Sequence, residues 1–329
     1  MSPESRPTIR DVAKRAGVGV GTVSRVLNDS PLVTAGMRVR VLGAIEELGF
    51  RPNAAARSLS VGRTHHVGVV APFFTSPSSV ERLRGVSEHL TARGYGLLLL
   101  DIETARQRAT VLSDLSRLDG LLVMSLPLTD GEVASLARDR MPTVLVDSAH
   151  PRLTHVAIDD VEGGRLAAEH LLARGHRRIA FVGDREYPSF GFTSSELRRE
   201  GFRAGLAQAR LEPAAELLGG HEREDAHALT ASLLAEPDPP TAVFAASDVQ
   251  ALGVLEAAYA AGLRVPAELA VIGFDDIELA AAAGLTTVRQ PLRQSGRLGA
   301  ELLIAAIERV AEPPPARLDP LVVVERRTT

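Results

Sequence analysis

Thr8-Ile9-Arg10-Asp11-Val12-Ala13-Lys14-Arg15-Ala16-Gly17-Val18-Gly19-Val20-Gly21-Thr22-Val23-Ser24-Arg25-Val26-Leu27-Asn28 decides how this chain begins. Thr8 is an N-cap residue type, and Ile9, Val12, Ala13 and Ala16 fall on one helical face behind it. Gly17 ends that helix because it takes a positive φ cheaply. Gly19 opens a second helix, Val20 to Asn28, with Val23, Val26 and Leu27 facing inward and Thr22, Ser24, Arg25 and Asn28 on its other faces. Two short helices joined by a tight glycine-containing turn form the helix-turn-helix pattern. A third helix is expected from Ala35 to Leu48, capped by Thr34 and stopped by Gly49, with Val39, Leu42, Ile45 and Leu48 as its apolar stripe. The outward face of the second helix is short, polar and basic, and small residues fill its first turn. That shape suits entry into a major groove, where the start of a recognition helix meets base edges.

Charge supports this reading. The chain of 329 residues has a net charge of -4, but residues 1–63 carry ten basic against five acidic side chains, leaving the remainder acidic. A basic head on an acidic body points to a polyanion that meets only the head. There is no cysteine, so disulfides, thiol chemistry and cysteine-based zinc sites are excluded. No stretch reads as a signal peptide or a membrane span, so the expected location is the cytoplasm. The run Gly17-Val18-Gly19-Val20-Gly21 is not a nucleotide loop, because no strand precedes it and no ribose-binding acid follows.

After Phe50-Arg51-Pro52, the segment Asn53-Ala54-Ala55-Ala56-Arg57-Ser58-Leu59 can cap and form a short helix. Seven residues are too few for an isolated helix in water, so it needs a partner. The functional reading is a hinge helix that orders on DNA and wedges Leu59 into a minor-groove step. The plainer one is that Leu59 packs on the body.

At this point a resemblance is specific. The Thr8–Val18 stretch, Thr22-Val23-Ser24-Arg25-Val26-Leu27-Asn28, Gly49-Phe50-Arg51-Pro52-Asn53 and Ala56-Arg57-Ser58-Leu59 resemble, in order, the lactose/galactose-repressor (LacI-type) family. The resemblance implies that Val20, Gly21, Thr22, Ser24, Arg25, Asn28, Asn53 and Arg57 lie on or near double-stranded DNA and that Leu59 is the hinge leucine. One departure stands out. The family commonly starts its recognition helix with a capping Ser and two exposed side chains, whereas this chain has Gly19, Val20 and Gly21. Val20 can offer only apolar contact and Gly21 none, which shifts readout toward Arg25, Thr22 and DNA deformability.

Beyond a linker at Val61 to Thr64, apolar strands alternate with amphipathic helices. Strands are expected at 66–71, 96–100, 120–124, 143–146, 178–182, 241–245, 270–273 and 321–324. Helices are expected at 80–93, 105–118, 131–140, 163–174, 195–209, 225–235, 248–261 and 292–312. Such alternation means parallel sheets covered on both faces. The predicted architecture is therefore an all-α helix-turn-helix domain (1–50), a hinge helix and linker (51–64), and a two-lobed α/β core (65–329) whose first lobe ends near Ile158.

Ligands in open parallel sheets bind beyond the carboxyl ends of the strands, which places a site between the lobes. Reading off those ends gives Phe73, Phe74, Thr75 and Ser76, then Asp147, then the loop Asp184 to Ser195 with Tyr187, Phe190 and Phe192, then Arg198, Ser247-Asp248, Asp275-Asp276 and Gln290. Asp248 reads best as the cap of its helix, and Asp276 as a cap or turn residue. Carboxylates and an arginine among aromatic faces suit a sugar, whose hydroxyls need polar partners and whose ring faces need apolar cover.

The body also resembles the effector-binding core of the same family, which is similar to periplasmic sugar-binding proteins. It does so through Gly175-His176-Arg177-Arg178-Ile179-Ala180, Ser247-Asp248-Val249-Gln250-Ala251-Leu252-Gly253, Val271-Ile272-Gly273-Phe274-Asp275-Asp276 and Leu285-Thr286-Thr287-Val288. The resemblance implies effector contacts at Asp147, Arg198 and Asp275, and puts Ser247 where an Asn is common. No catalytic set emerges, the histidines have no metal-ligand spacing, and no cofactor is implied. The function expected is a homodimeric repressor that reads a pseudo-palindromic operator and is controlled by a small molecule, a sugar first. A purine-type or phosphoprotein co-repressor is the alternative. A sugar-binding transport protein is the competing class, disfavoured by the basic head.

Overall fold

A computed structural model describes residues 7–27, 30–51, 63–112, 115, 117–187, 190–313, 315 and 317–329. The chain divides into two compact units, Met1–Thr64 and His65–Thr329. Asn28, Asn53, Arg57 and Leu59 lie outside the described residues.

The first unit is three helices, α1 (Ile9–Ala16), α2 (Val20–Leu27) and α3 (Ala35–Leu48). The Asp11 carboxylate accepts from the Thr8 backbone N–H at 2.8 Å and from its hydroxyl at 2.7 Å, which holds that acid below the usual carboxylate range. Gly17 and Gly49 end α1 and α3 at φ 64° and 60°, the left-handed conformation expected of them. Val12, Ala13, Ala16, Val23, Val26, Val41 and Ala44 are buried together. Here α3 corrects the expected stripe. Val39 is 70% exposed and Leu42 52% exposed, while Val41 and Ala44 are buried, backed by Ile45 and Leu48. The inward face follows the i, i+3, i+4, i+7 pattern from Val41; a strict three-residue step from Val39 drifts around the helix.

The second unit holds two sheets. One has strand order β2-β1-β3-β4-β5 and is parallel throughout. Its strands are β1 (His66–Ala71), β2 (Gly96–Asp101), β3 (Gly120–Met124), β4 (Thr143–Val146) and β5 (Thr154–Val156). The other contains β6 (Ile179–Asp184), β7 (Ala215–Gly219), β8 (Ala242–Ala245), β9 (Ala270–Asp275), β10 (Thr286–Arg289) and β11 (Val322–Val324). Its order, β11-β10-β9-β8-β6-β7, repeats the same winding and adds an antiparallel edge through β11. Strands β5, β7 and β10 were not expected: they are short, and Thr and Glu interrupt their apolar runs.

The helices are α4 (Pro77–Ala92), α5 (Ala105–Val111), α6 (Asp130–Arg138), α7 (Asp160–Ala173), α8 (Ser194–Gln208), α9 (Arg223–Leu234), α10 (Asp248–Ala260), α11 (Glu278–Ala283) and α12 (Leu292–Glu308). The first lobe does not simply end near Ile158. The chain leaves it after β5, but α12 returns, burying Leu298, Leu302, Leu303 and Ile304 with Val67, Val69, Leu122 and Val146 of the first sheet. It then goes back to the second sheet through β11. The lobes are therefore joined by three crossings.

Each lobe has a helix pair packed backbone against backbone through glycine, and the second lobe has another, α9 with α10, where a Cβ on Gly253 would lie 2.2 Å from the Arg223 carbonyl oxygen. A Cβ on Gly296 of α12 would lie 2.0 Å from the Arg82 carbonyl oxygen of α4, and one on Gly164 of α7 would lie 1.9 Å from the Arg198 carbonyl oxygen of α8. Only glycine lets these helices approach so closely. Arg82 and Arg198 thereby occupy corresponding positions, one per lobe.

Candidate functional site

A cleft of about 640 Å³ opens where the strands of both lobes end. That size suits a small molecule. Residues at or just past the ends of β1, β3, β4 and β9 hold strained backbone there: Phe73 (φ 50°), Ser125 (51°), Asp147 (60°) and Asp275 (116°) are left-handed without being glycine, as is the neighbouring Asp276 (61°). Such conformations persist only where the surrounding structure enforces them, and they concentrate at functional sites.

The floor of the cleft is a buried chain of polar groups running from one lobe to the other. The Ser125 hydroxyl donates to Asp147 Oδ2 at 2.7 Å, and Arg82 Nη2 donates to Asp147 Oδ1 at 2.6 Å. The same Nη2 donates to Gln290 Oε1 at 2.8 Å, and Gln290 Nε2 donates to Asp275 Oδ1 at 2.5 Å. Arg198 Nη1 stands 3.8 Å from Asp275 Oδ1, and its Nε donates to Asp160 Oδ1 at 2.8 Å. Arg198 also donates to the Ala246 carbonyl at 2.7 Å and lies over the Phe274 ring at 3.7 Å. Burial pushes Asp160 and Asp275 upward against the pull of Arg198.

Aromatic side chains from both lobes form one wall. Phe73, after β1, meets Phe190 and Phe192 of the β6–α8 loop at centroid distances of 5.7 and 6.0 Å, and Phe190 stacks on Phe192 at 5.1 Å. Phe190 is buried in the apolar cluster of the first lobe, and its carbonyl accepts from Arg108 at 3.3 Å.

Of the residues expected from sequence, Phe73, Asp147, Phe192, Arg198, Asp275 and Gln290 line this cleft. Two do not. Phe74 packs on the core beneath the first sheet. Ser247 is buried, and its hydroxyl accepts from the Gln250 N–H at 3.2 Å as the cap of α10. Asp248 is therefore not that cap. Its carboxylate accepts from the Thr287 hydroxyl at 2.6 Å and the Ile277 N–H at 2.9 Å, tying α10 to β10 and to the turn after β9. Asp276 ties Arg289 and Arg326.

Sequence reading passed over Arg82, Ser125, Asp160 and His221, and named Asp184 only as the start of the loop Asp184 to Ser195. An arginine on the inward face of α4, in register with buried Ser79 and Val86, was the available signal for the first of these. Gln250 Nε2 donates to Asp184 Oδ1 at 2.8 Å, and His221 Nδ1 lies 3.1 Å from the same oxygen. Burial alone would lower the His221 pKa, but the hydrogen bond and charge of Asp184 raise it above its ordinary value. A raised folded-state value gives stability that is fully present below pH of about 6.5 and is lost as pH rises through the folded value. His221→Gln is thus expected to lower the melting temperature more at pH 6 than at pH 9. An equal effect at both would rule out the charged pair.

In the head, Val20, Gly21 and Arg25 are exposed and Thr22 and Ser24 half-buried, so the outer face of α2 presents them to solvent. The Gly19 carbonyl accepts the first helical bond from the Val23 N–H and also the Thr22 N–H at 2.9 Å, the group that a capping side chain would otherwise satisfy. No helix among the described residues is long and apolar enough to cross a membrane.

Known proteins agree with this architecture. Residues 8–53 match the family model described as bacterial regulatory proteins, lacI family, and residues 168–329 match a periplasmic binding protein-like domain. The chain is 36% identical over 312 residues to the ribose operon repressor of Escherichia coli (strain K12), covering 91% of this chain and 93% of that protein. It is 35% identical to the HTH-type transcriptional repressor PurR of Haemophilus influenzae (strain PittEE), covering 91% of each. Among solved structures, the lac repressor dimer bound to operator and the anti-inducer ONPF aligns with a TM-score of 0.86 at 28% identity, over 98% of this chain and 99% of that one. A transcriptional regulator CelR–cellobiose complex aligns at 0.72 and 32% identity, over 98% of this chain and all of the other. The chain is a DNA-binding transcription regulator of the lacI family, with a helix-turn-helix head and a periplasmic-binding-protein-like core.

Proposed function

We propose that this protein is a cytoplasmic, non-enzymatic repressor that binds a pseudo-palindromic operator as a homodimer and is controlled by an uncharged sugar held between the lobes. The reading divides the chain into a head (1–50), a hinge and linker (51–64) and a core (65–329). Val20, Gly21, Thr22, Ser24 and Arg25 contact the operator, together with Asn28, Asn53, Arg57 and the hinge Leu59. Phe73, Asp147, Phe192, Arg198, Asp275 and Gln290 contact the effector.

The observation that carries the sugar is the composition of the cleft. Its buried guanidiniums are already matched by carboxylates, an aromatic wall stands beside them, and four arginines face seven carboxylates around the lining. A polyol uses such paired donors and acceptors through its hydroxyls and covers its ring on the aromatics. A phosphorylated ligand would add negative charge to a cleft that already has an excess of it. The ribose operon repressor and the CelR–cellobiose complex, both similar to this chain, are named for sugars.

A two-step experiment tests the reading. Operator sites are first selected from random duplex DNA with the full chain. D-ribose, D-glucose, cellobiose, ribose 5-phosphate and guanine are then each added while DNA occupancy and melting temperature are followed. A neutral sugar is expected to raise the melting temperature and change occupancy. A response to guanine or ribose 5-phosphate alone would replace the sugar; failure to select any DNA would overturn the regulator.

A further inference from the structure

We propose that Arg82 is the residue by which the cleft chooses among sugars: its unfilled N–H donors take an acceptor oxygen of the bound sugar from the first-lobe side. The proposal rests on the sugar reading above.

Arg82 is only 3% exposed, yet it lines the cleft. A guanidinium carries five N–H donors in a fixed fork. The two hydrogen bonds of this one, to Asp147 Oδ1 and Gln290 Oε1, both leave through Nη2. Nε is buried with no acceptor, and no protein group among the described residues accepts from Nη1. Buried polar groups are almost always matched, and a buried donor left unmatched costs free energy. Arg82 thus has one sealed donor, Nε, and an Nη1 that no protein group among the described residues fills and that is open beside a ligand-sized cleft, where an acceptor arriving from outside can take it.

The fork is also prevented from turning away. Asp147 is held by Ser125, and Gln290 is held by Asp275. The helix that carries Arg82 is locked to α12 by Gly85 and Gly296, where a Cβ would lie 2.0 Å from a carbonyl oxygen on the facing helix in both cases. Rigid, oriented donors select geometry, so a sugar that lacks the matching oxygen is rejected. Asp147 already neutralises the charge of Arg82. The partner it reads is therefore a hydroxyl or ring oxygen, not a second carboxylate. Arg198 also makes two hydrogen bonds, but its Nε is matched by Asp160 and both bonds stay within its own lobe, whereas the Nε of Arg82 is sealed without an acceptor.

The test uses full-length wild-type protein, Arg82→Lys and Arg82→Met. Calorimetry is run with whichever of D-ribose, D-glucose or cellobiose binds wild type, and with the monodeoxy analogues of that sugar. Wild type is expected to bind one analogue at least about tenfold more weakly than the parent, as for loss of a hydrogen bond to a charged donor. In both variants the parent should fall to the affinity of that analogue, with the two now equal within about twofold, while penalties at other hydroxyls persist. Arg82→Met leaves Asp147 unpaired; should it not fold, Arg82→Lys keeps the charge, loses the fork and decides alone. Variants that retain the wild-type ranking of every analogue would overturn the proposal. If wild type binds none of the three sugars, the sugar reading itself has failed and takes the proposal with it.

Discussion

Arg198→Met is expected to remove the effector response and lower the stability of the core by about 3–5 kcal/mol, the cost of leaving buried partners of a broken ion pair unmatched. Arg198 is 6% exposed, and the side chains of Asp160 and Asp275 are 10% and 7% exposed, so water cannot replace the guanidinium. The Ala246 carbonyl and the face of Phe274 lose their cation in the same step. The loss should depend on pH with a definite sign. Burial already raises Asp160 and Asp275, and removing the cation raises them further. A carboxylate with a raised folded-state value binds more protons folded than unfolded. The variant therefore regains stability as pH falls from neutrality through that raised value toward about 3.9, the ordinary aspartate value. Thermal melts at pH 7 and pH 5 read this directly. A variant that melts with wild type at pH 7, or whose deficit grows at pH 5, would show that the three groups are not coupled. Operator binding by the head should survive the substitution.

Gly164→Ala is the second large effect. The new Cβ would sit 1.9 Å from the Arg198 carbonyl oxygen, and the reciprocal Gly201 faces the Val161 carbonyl at 1.8 Å. Both obstacles are backbone, which cannot move as a side chain does, so α7 and α8 must separate. Overpacking costs about 1–3 kcal/mol, and this case belongs at the upper end or beyond. A loss of about 3 kcal/mol corresponds to a fall in melting temperature of roughly 6–12 °C. Because α8 carries Arg198, effector affinity should fall as well, with no residue of the cleft altered. Gly131→Ala is the control: nothing lies within 4 Å of its Cβ position, and its melting temperature should hold or rise. Equal melting temperatures for Gly164→Ala and wild type would mean that the helices tolerate a wider separation.

The sequence by itself determined the head and the winding of the body. Thr8, Gly17, Thr34 and Gly49 mark the helix ends because capping is local chemistry, written within three or four residues of each terminus. Apolar strands alternating with helices implied parallel sheets, and ligand sites at strand ends led to Asp147, Arg198, Asp275 and Gln290. Tertiary structure decided the rest. Val39 and Leu42 have the right spacing for a core stripe, yet the helix turns Val41 and Ala44 inward, because two apolar faces competed and only packing against α1 and α2 chose between them. That α12 belongs to the first lobe depends on which sheet its apolar face meets, something no local pattern records. Ser247 took a role other than the expected one, and Arg82 gained one that the sequence had not suggested, for the same reason. A hydroxyl three residues before a free N–H became a cap, and an arginine on an inward helical face became part of the cleft once Asp147, 65 residues away, and Gln290, 208 residues away, came to its side.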